Sequence, residues 1–208
     1  LKSEINAGLK RIDAFSFMAL VDDPKLQEGV SVIYSNDRFP INNALPKLVN
    51  YQKRTKIRIG YFSGDFREHP VSTLTAGLYE NHNRVFFEVY AFSCGPDTND
   101  AMNLRIKSGV DHFHDVQTMS HKDIALLARS LEIDIAVDLG GYTVSGKTDV
   151  FAMSAAPIQL SYIGFLGTMG APYYDYLIAD EITIPKENQQ YYSEKIAYLP
   201  SYQVNDSK

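Results

Sequence analysis

The sequence predicts an α/β fold built on a mostly parallel sheet. Three observations predict it. Apolar, β-branched and aromatic runs of strand length recur at 57–62, 86–94, 133–139 and 158–165. Stretches with helical spacing of apolar residues separate them, and alternating strands and helices are joined by right-handed crossovers that lay the strands parallel. Turn residues close the runs, at Ser63-Gly64-Asp65, Gly95-Pro96-Asp97 and Gly140-Gly141.

In chain order, residues 1–20 read as a helix followed by a buried apolar patch around Phe15, Phe17, Met18 and Leu20. Asp22-Asp23-Pro24 breaks it, and Pro24 suits the first position of a second helix, running to Val32. Residues 36–54 are polar, hold Pro40 and Pro46, and read as a surface connector. Residues 1–54 are therefore set apart as a helical N-terminal segment and connector, and 55–208 as the α/β unit. In the first strand Ile57, Ile59 and Tyr61 alternate with Arg58 and Gly60, and Phe62 closes the run. Past Pro70, Leu74, Gly77 and Leu78 fall at helical spacing. The second strand, 86–94, is followed by a helix capped by Thr98 or Asn99 and reaching about Ser108, then a short strand at 111–116. Ser120 caps a helix at 121–131, with Asp123 placed as the acid of a capping box and Ile124, Leu127, Ala128 and Leu131 on one face. Strand 133–139 stops at Gly140-Gly141; a short helix at 147–153 leads to Pro157 and strand 158–165. A strand core at 176–179, a helical turn at 191–195 and a strand at 196–199 complete the pattern.

Composition narrows the function classes. The chain has 208 residues, enough for one large or two small domains. The net charge is −5 and no block of Lys or Arg stands out, which argues against a nucleic-acid surface or a polybasic membrane contact. No apolar run reaches the roughly 18 residues of a membrane helix, and the N-terminus lacks a signal-peptide pattern. Cys94 stands alone, so no internal disulfide forms, and a cytoplasmic setting fits. The first residue is Leu, so the chain is expected to be a piece of a longer one.

In open α/β sheets, ligands bind outside the carboxyl ends of the strands. Three loops qualify, 63–69, 140–146 and 164–170, and they are expected to converge at one end of the sheet. His69, at a helix start on the first loop, suits a general base or a polar ligand contact, since histidine titrates near neutrality. The plainer alternative is a helix-entry His bonded to a backbone carbonyl. Asp65 either orients His69 or serves turn chemistry. In the second loop, Gly140 and Gly141 let the backbone approach a ligand, and Thr143, Ser145 and Lys147 are placed to meet phosphate or sugar hydroxyls. Gly141, four residues, then Gly146-Lys147-Thr148 also matches the P-loop pattern, but the stretch before Pro157 is short for a P-loop helix. Gly164, Gly167 and Gly170 make a loop whose backbone packs either on a ligand or on itself. His112 and His114 share one face of a strand without a third ligand, so they read as surface or core residues and no metal site is assigned. His82 and His121 read as solvated helix-end residues. Tyr173, Tyr174, Tyr176, Tyr191 and Tyr192 read as packing residues, and Cys94 as structural.

Five runs, IRIGYFSGDFREHPVS, GVDHFHDV, IDIAVDLGGYT, APIQLSYIGFLGTMGAPYYDYLIAD and YSEKIAYLP, occur in order between residues 56 and 200. Together they resemble the catalytic region of the O-linked N-acetylglucosamine transferases and their SPINDLY-like relatives. The segment around Asp22-Asp23-Pro24 is similar to the linker preceding that region in bacterial members. The resemblance implies a GT-B glycosyltransferase, in which two Rossmann-like domains face each other across a cleft, usually after tetratricopeptide repeats. This chain would be the first of the two, with an inverting transfer of N-acetylglucosamine from UDP-GlcNAc to Ser or Thr hydroxyls of proteins. It implies no cofactor beyond the donor substrate. His69, within Asp65-Phe66-Arg67-Glu68-His69-Pro70, corresponds to the proposed catalytic base of the D-F-x-x-H-P motif. The family's G-T-S-G loop appears as Gly167-Thr168-Met169-Gly170, with Met169 in place of Ser. Carried onto these motifs, the substrate-binding set is Asp65, Pro70, His112, Gly141, Tyr142, Thr143, Gly167, Thr168 and Gly170. The nucleotide contacts lie mostly in the second domain, so this half alone is expected to fold without transferring sugar. Two other classes remain open from the residues themselves: a non-catalytic α/β binding module of flavodoxin-like or receiver-like type, and a P-loop hydrolase using Lys147.

Overall fold

The computed structural model describes residues 12–49, 51–52 and 54–202. Seven strands, β1 (Ile57–Ser63), β2 (Phe87–Ser93), β3 (His112–Asp115), β4 (Ile135–Asp138), β5 (Ile158–Ser161), β6 (Tyr176–Ala179) and β7 (Lys195–Tyr198), form one sheet in the order β3-β2-β1-β4-β5-β6-β7. Every pairing is parallel. The helices are α1 (Ala14–Leu20), α2 (Pro24–Arg38), α3 (Pro70–Asn81), α4 (Ala101–Gly109), α5 (His121–Ser130) and α6 (Thr148–Ala152), with a 3-10 turn at Lys186–Tyr191. Successive connections run outward from β1 to β3, then return to the other side of β1 at β4. The carboxyl ends of β1 and β4 therefore flank a topological switch point, where open sheets of this kind bind ligands.

Strand periodicity explains the two-sided core. Side chains alternate between faces, so both faces of a parallel sheet must be covered. Phe62, Tyr90, Phe92 and Ala136 face one way and pack with Phe17 of α1, Val30 of α2, Ile124 and Ala128 of α5 and Phe151 of α6. Ile59, Tyr61, Val89, Ala91 and Val137 face the other way, against Ala76 and Tyr79 of α3 and Ile106 of α4. Phe62 and Phe92 stack face to face at 4.3 Å. Gly60 makes room for that stack: a Cβ there would lie 2.9 Å from the Phe92 ring.

Several elements differ from the expectations. The apolar stretch near residue 17 is itself helical, capped by Asp13, which accepts from the Ser16 amide at 2.8 Å. Of the expected buried patch Phe17 is fully covered, whereas Phe15 and Leu20 are 45% and 73% exposed. A single short helix hides one narrow face only. The part of that expectation before residue 12 lies outside the described residues. Helix α2 continues past Val32 to Arg38, because Ser31 and Ser35 are buried under the 170 loop and Ser35 Oγ donates to the Gly170 carbonyl at 2.7 Å. The cap of α4 is Asp100, not Thr98 or Asn99: its carboxylate accepts from the Asn103 amide at 2.8 Å, and Thr98 donates to the same carboxylate. Strand β5 ends at Ser161 rather than 165, since Ile163 takes a left-handed φ of 65° that no ladder accommodates. The late helical turn ends at Tyr191 instead of beginning there, and β7 follows from Lys195. The Ser120 cap holds as read: Ser120 Oγ accepts from the Asp123 amide at 3.1 Å and donates to the Asp123 carboxylate at 2.6 Å.

The segment before β1 lies against the α/β unit. Leu45 is buried, the Asn42 amide donates to the Ala152 carbonyl, and Arg54 bridges Glu132 and Asp134 at 2.6 and 2.8 Å.

Candidate functional site

A cavity of about 820 Å³ opens at the switch point. Its floor comes from the β1 exit loop (Asp65, Arg67, His69) and the β4 exit loop (Leu139, Tyr142, Thr143, Ser145), with Gly164 from the β5 exit. Its rim comes from Asp13, Phe15 and Ser16 at α1 and from Tyr34 of α2. The three loops thus share one end of the sheet, as their strand-exit positions require.

His69 is the N-cap of α3. Its backbone is extended (φ −158°), Pro70 follows at the first helical position, and its Nδ1 accepts from the Val71 amide at 3.3 Å. It is therefore not a His bonded to a carbonyl; the ring takes an orphan amide of the helix start. The side chain is 35% exposed and lines the cavity, and Nδ1 lies 3.9 Å from Asp65 Oδ2. Asp65 is buried. Its Oδ2 accepts from Ser145 Oγ at 2.6 Å, its Oδ1 from Arg67 Nη2 at 3.4 Å, and its backbone carbonyl from Ser72 Oγ. The Asp65–Ser145 bond ties the β1 loop to the β4 loop across the switch point.

The glycine loop after β4 is held from beneath. The Gly140 and Gly141 amides donate to Asp138 Oδ1 at 2.9 and 3.0 Å, and the Tyr174 hydroxyl donates to Asp138 Oδ2 at 2.5 Å. Burial raises the Asp138 pKa, against these three donors. Within the stretch that matches the P-loop pattern, the Gly146 amide donates to the Thr143 carbonyl at 3.0 Å. Lys147 stands before a helix of five residues, far shorter than a P-loop helix. Tyr142 donates to the Met169 carbonyl at 2.5 Å and packs edge-on against Tyr34 and Phe165. Thr143 Oγ1 donates to the Gly140 carbonyl at 2.8 Å.

The remaining expected positions fall elsewhere. Thr168 is buried and donates to Glu194 Oε2 at 2.7 Å, and the Met169 amide donates to Glu194 Oε1 at 2.6 Å. Burial raises the pKa of Glu194. Gly167 packs under Phe165 and Met18, and Gly170, with φ +57°, lies against the backbone of Ser31 and Val32. Gly167, Thr168 and Gly170 do not line the cavity. His112 sits on the edge strand, bonded to Glu88 at 3.0 Å and stacked on Tyr90, also outside it. His82 is not solvated: its Nε2 lies 2.8 Å from the Tyr61 hydroxyl, and burial lowers its pKa. Cys94 is buried, and burial pushes its thiol up to about 12, which leaves it unreactive near neutrality. Among the described residues no three His, Cys, Asp or Glu side chains gather as a metal site, and no helix is long and apolar enough to cross a membrane.

Arg67 and Glu194 were not singled out in the sequence. Arg67 lies between Asp65 and His69 in a motif whose middle positions carry no pattern of their own. Glu194 acts from the far side of β6, and nothing local links it to Thr168.

These features define a Rossmann-like α/β domain with a ligand-sized cleft at its strand carboxyl ends. The family model described as glycosyl transferase family 41 matches residues 41–208, and the chain belongs to that family. It is 44% identical over 154 residues to an Arabidopsis thaliana protein named a probable UDP-N-acetylglucosamine–peptide N-acetylglucosaminyltransferase SEC, covering 74% of this chain and 16% of that one. It is 33% identical over 205 residues to the Arabidopsis SPINDLY protein of similar name, covering 94% of this chain and 22% of the relative. Among solved structures it is similar to a mutant O-GlcNAc transferase of Thermobaculum terrenum, with a TM-score of 0.80 and 28% identity, over 88% of this chain and 36% of that one. The chain thus spans about a fifth of these curated relatives.

Proposed function

We propose that this chain is the base-bearing half of a GT-B glycosyltransferase that moves N-acetylglucosamine from UDP-N-acetylglucosamine to Ser or Thr hydroxyls of proteins, with inversion. One observation carries the reading: an imidazole at the switch-point cleft, in a chain of this family, with a buried carboxylate behind it. The donor and acceptor classes come from the printed names of the relatives.

The chemistry is a single displacement. The acceptor hydroxyl oxygen forms a bond to the anomeric carbon and gives its proton to His69. The bond from that carbon to the diphosphate breaks, and its electron pair leaves with UDP. A positioned base contributes about 10²–10⁴-fold to such a step. The leaving diphosphate also needs cationic or amide donors. Among the described residues Arg67 is the guanidinium that lines the cavity. The rest are assigned to a second Rossmann-like domain, and tetratricopeptide repeats and a cytoplasmic setting complete the proposal. The donor is a substrate, and the reading calls on no metal or cofactor.

The test is transfer of labelled N-acetylglucosamine from the nucleotide donor to a Ser-containing peptide by the full natural protein. Time-dependent labelling of the hydroxyl is the expected result; donor hydrolysis without transfer, or no reaction, contradicts it. A P-loop hydrolase would instead split ATP or GTP and lose that activity in Lys147→Ala; the five-residue helix after Lys147 and the engagement of the Gly146 amide by the Thr143 carbonyl speak against it. A non-catalytic binding module would bind ligand at the cleft and never label the peptide.

A further inference from the structure

We infer that Asp65 is the positioning residue that turns His69 from a helix cap into a base, with Ser145 holding that carboxylate in place. The inference rests on the function proposed above.

The ring of His69, as it stands in the structure, cannot accept a proton toward the cavity. Its Nδ1 lone pair receives the Val71 amide at 3.3 Å. In the neutral ring the proton must then sit on Nε2, which makes Nε2 a donor. A hydroxyl approaching Nε2 meets an N–H instead of a lone pair. A base needs the opposite tautomer, with the proton on Nδ1 and a partner there to accept it.

Asp65 is that partner. Its Oδ2 lies 3.9 Å from Nδ1, beyond hydrogen-bond reach while the cap is made. A modest turn of the ring off the Val71 amide, with the Nε2 proton given up to solvent and one taken from solvent at Nδ1, sets Nδ1–H against Oδ2 and frees the Nε2 lone pair; the side chain is 35% exposed, so water reaches it. The cap lost is a weak one at 3.3 Å, and the bond gained is charge-assisted. The carboxylate is built to stay where it is. Its side chain is 8% exposed, and Ser145 Oγ donates to the same Oδ2 at 2.6 Å, leaving that oxygen a second lone pair for the ring. Ser145 belongs to the β4 exit loop, so the relay Ser145–Asp65–His69 forms only when the two switch-point loops are docked. The other charged groups facing the cavity are Arg67, which also touches Asp65, and Asp13 at the start of α1. When the acceptor proton reaches Nε2, the imidazolium is already bonded to an anion on its other side.

The experiment uses the full natural protein and follows kcat and KM for wild type, Asp65→Asn, Asp65→Glu and His69→Asn. Asparagine keeps the shape of Asp65 and an acceptor for Ser145, but no charge. Asp65→Asn is expected to lower kcat about a hundredfold while KM stays within about twofold. Asp65→Glu, which restores the anion, is expected to recover rate lost in Asp65→Asn. A merely structural role gives the opposite order, since asparagine matches the shape and glutamate does not. If Asp65→Asn does not fold, Ser145→Ala carries the test. It removes the bond that holds Oδ2 in place and is expected to lower kcat about tenfold with KM within about twofold; an unchanged kcat there overturns the inference. Asp65→Asn with the wild-type rate, beside an inactive His69→Asn, overturns the inference alone. A fully active His69→Asn, or a wild type without transfer, overturns the reading it rests on and the inference with it.

Discussion

Replacing His69 with Ala in the full natural protein should lower kcat for the proposed transfer by about a hundredfold or more, the scale of a lost general base. The structure separates this effect from a folding defect. His69 also caps α3 through Nδ1, so the Ala variant loses a cap, at a cost of about 1 kcal/mol. For a domain of this size that is a fall of about 2–4 °C in melting temperature. His69→Asn distinguishes the two roles, because an Asn side chain caps a helix well but takes no proton. The Asn variant should melt with wild type and still be inactive. Steady-state kinetics and calorimetry on the two variants check this together; an active Asn variant would show that the imidazole serves the helix and nothing more.

Gly164→Ala should produce a large loss of stability. A Cβ at Gly164 would lie 2.0 Å from the Leu139 carbonyl oxygen, 3.0 Å from its carbon and 3.1 Å from Gly140 Cα. All three are backbone atoms, so no side chain can turn aside. The only relief is to part the β4 and β5 exits, and the bonds that hold them run through the same few residues. The Leu139 amide donates to the Phe62 carbonyl, Tyr162 to Asp138, and Gly164 to Tyr162. The expected cost is about 3 kcal/mol or more, which lowers the melting temperature by about 10 °C. Since Leu139 and Gly164 both line the cleft, ligand affinity should fall with it. Gly109→Ala is the control. Its Cβ would meet the flexible Cγ of Glu80 at 3.3 Å, and it should melt within about 2 °C of wild type. Equal melting of the two variants would mean that the loops at the switch point are looser than the structure has them.

Much of the scaffold was legible because it rests on local periodicity and local caps. The strand at Tyr176–Ala179 and the Ser120–Asp123 cap were read as they stand. The site loops were legible for a related reason: each follows an apolar run, and parallel strands put all such exits at one end. Where the reading failed, the deciding partner was remote or the local signal was ambiguous. Thr98, Asn99 and Asp100 all have capping side chains, and only the direction of the chain picks Asp100. Ile163 looks like strand, but its left-handed φ is imposed by the tight exit toward Gly164. The 167–170 loop has the composition of a ligand loop, yet Thr168 turns to Glu194, 26 residues away. The family motif singled out His69 and Asp65, and both line the cavity. It gave no hint that His69 Nδ1 is engaged by an amide, or that Ser145 reaches Asp65 from 80 residues away.

In the proposed reaction the acceptor hydroxyl meets His69 in the cleft between the β1 and β4 exits. The most direct measurement is a structure of the full natural protein with a non-transferable donor analogue and a Ser-containing acceptor peptide. The serine oxygen is expected about 3 Å from His69 Nε2, with Nδ1 turned from the Val71 amide to Asp65. A peptide hydroxyl bound out of reach of His69, for example in the opposite cavity lined by Pro46, Arg129 and Asp175, would contradict it.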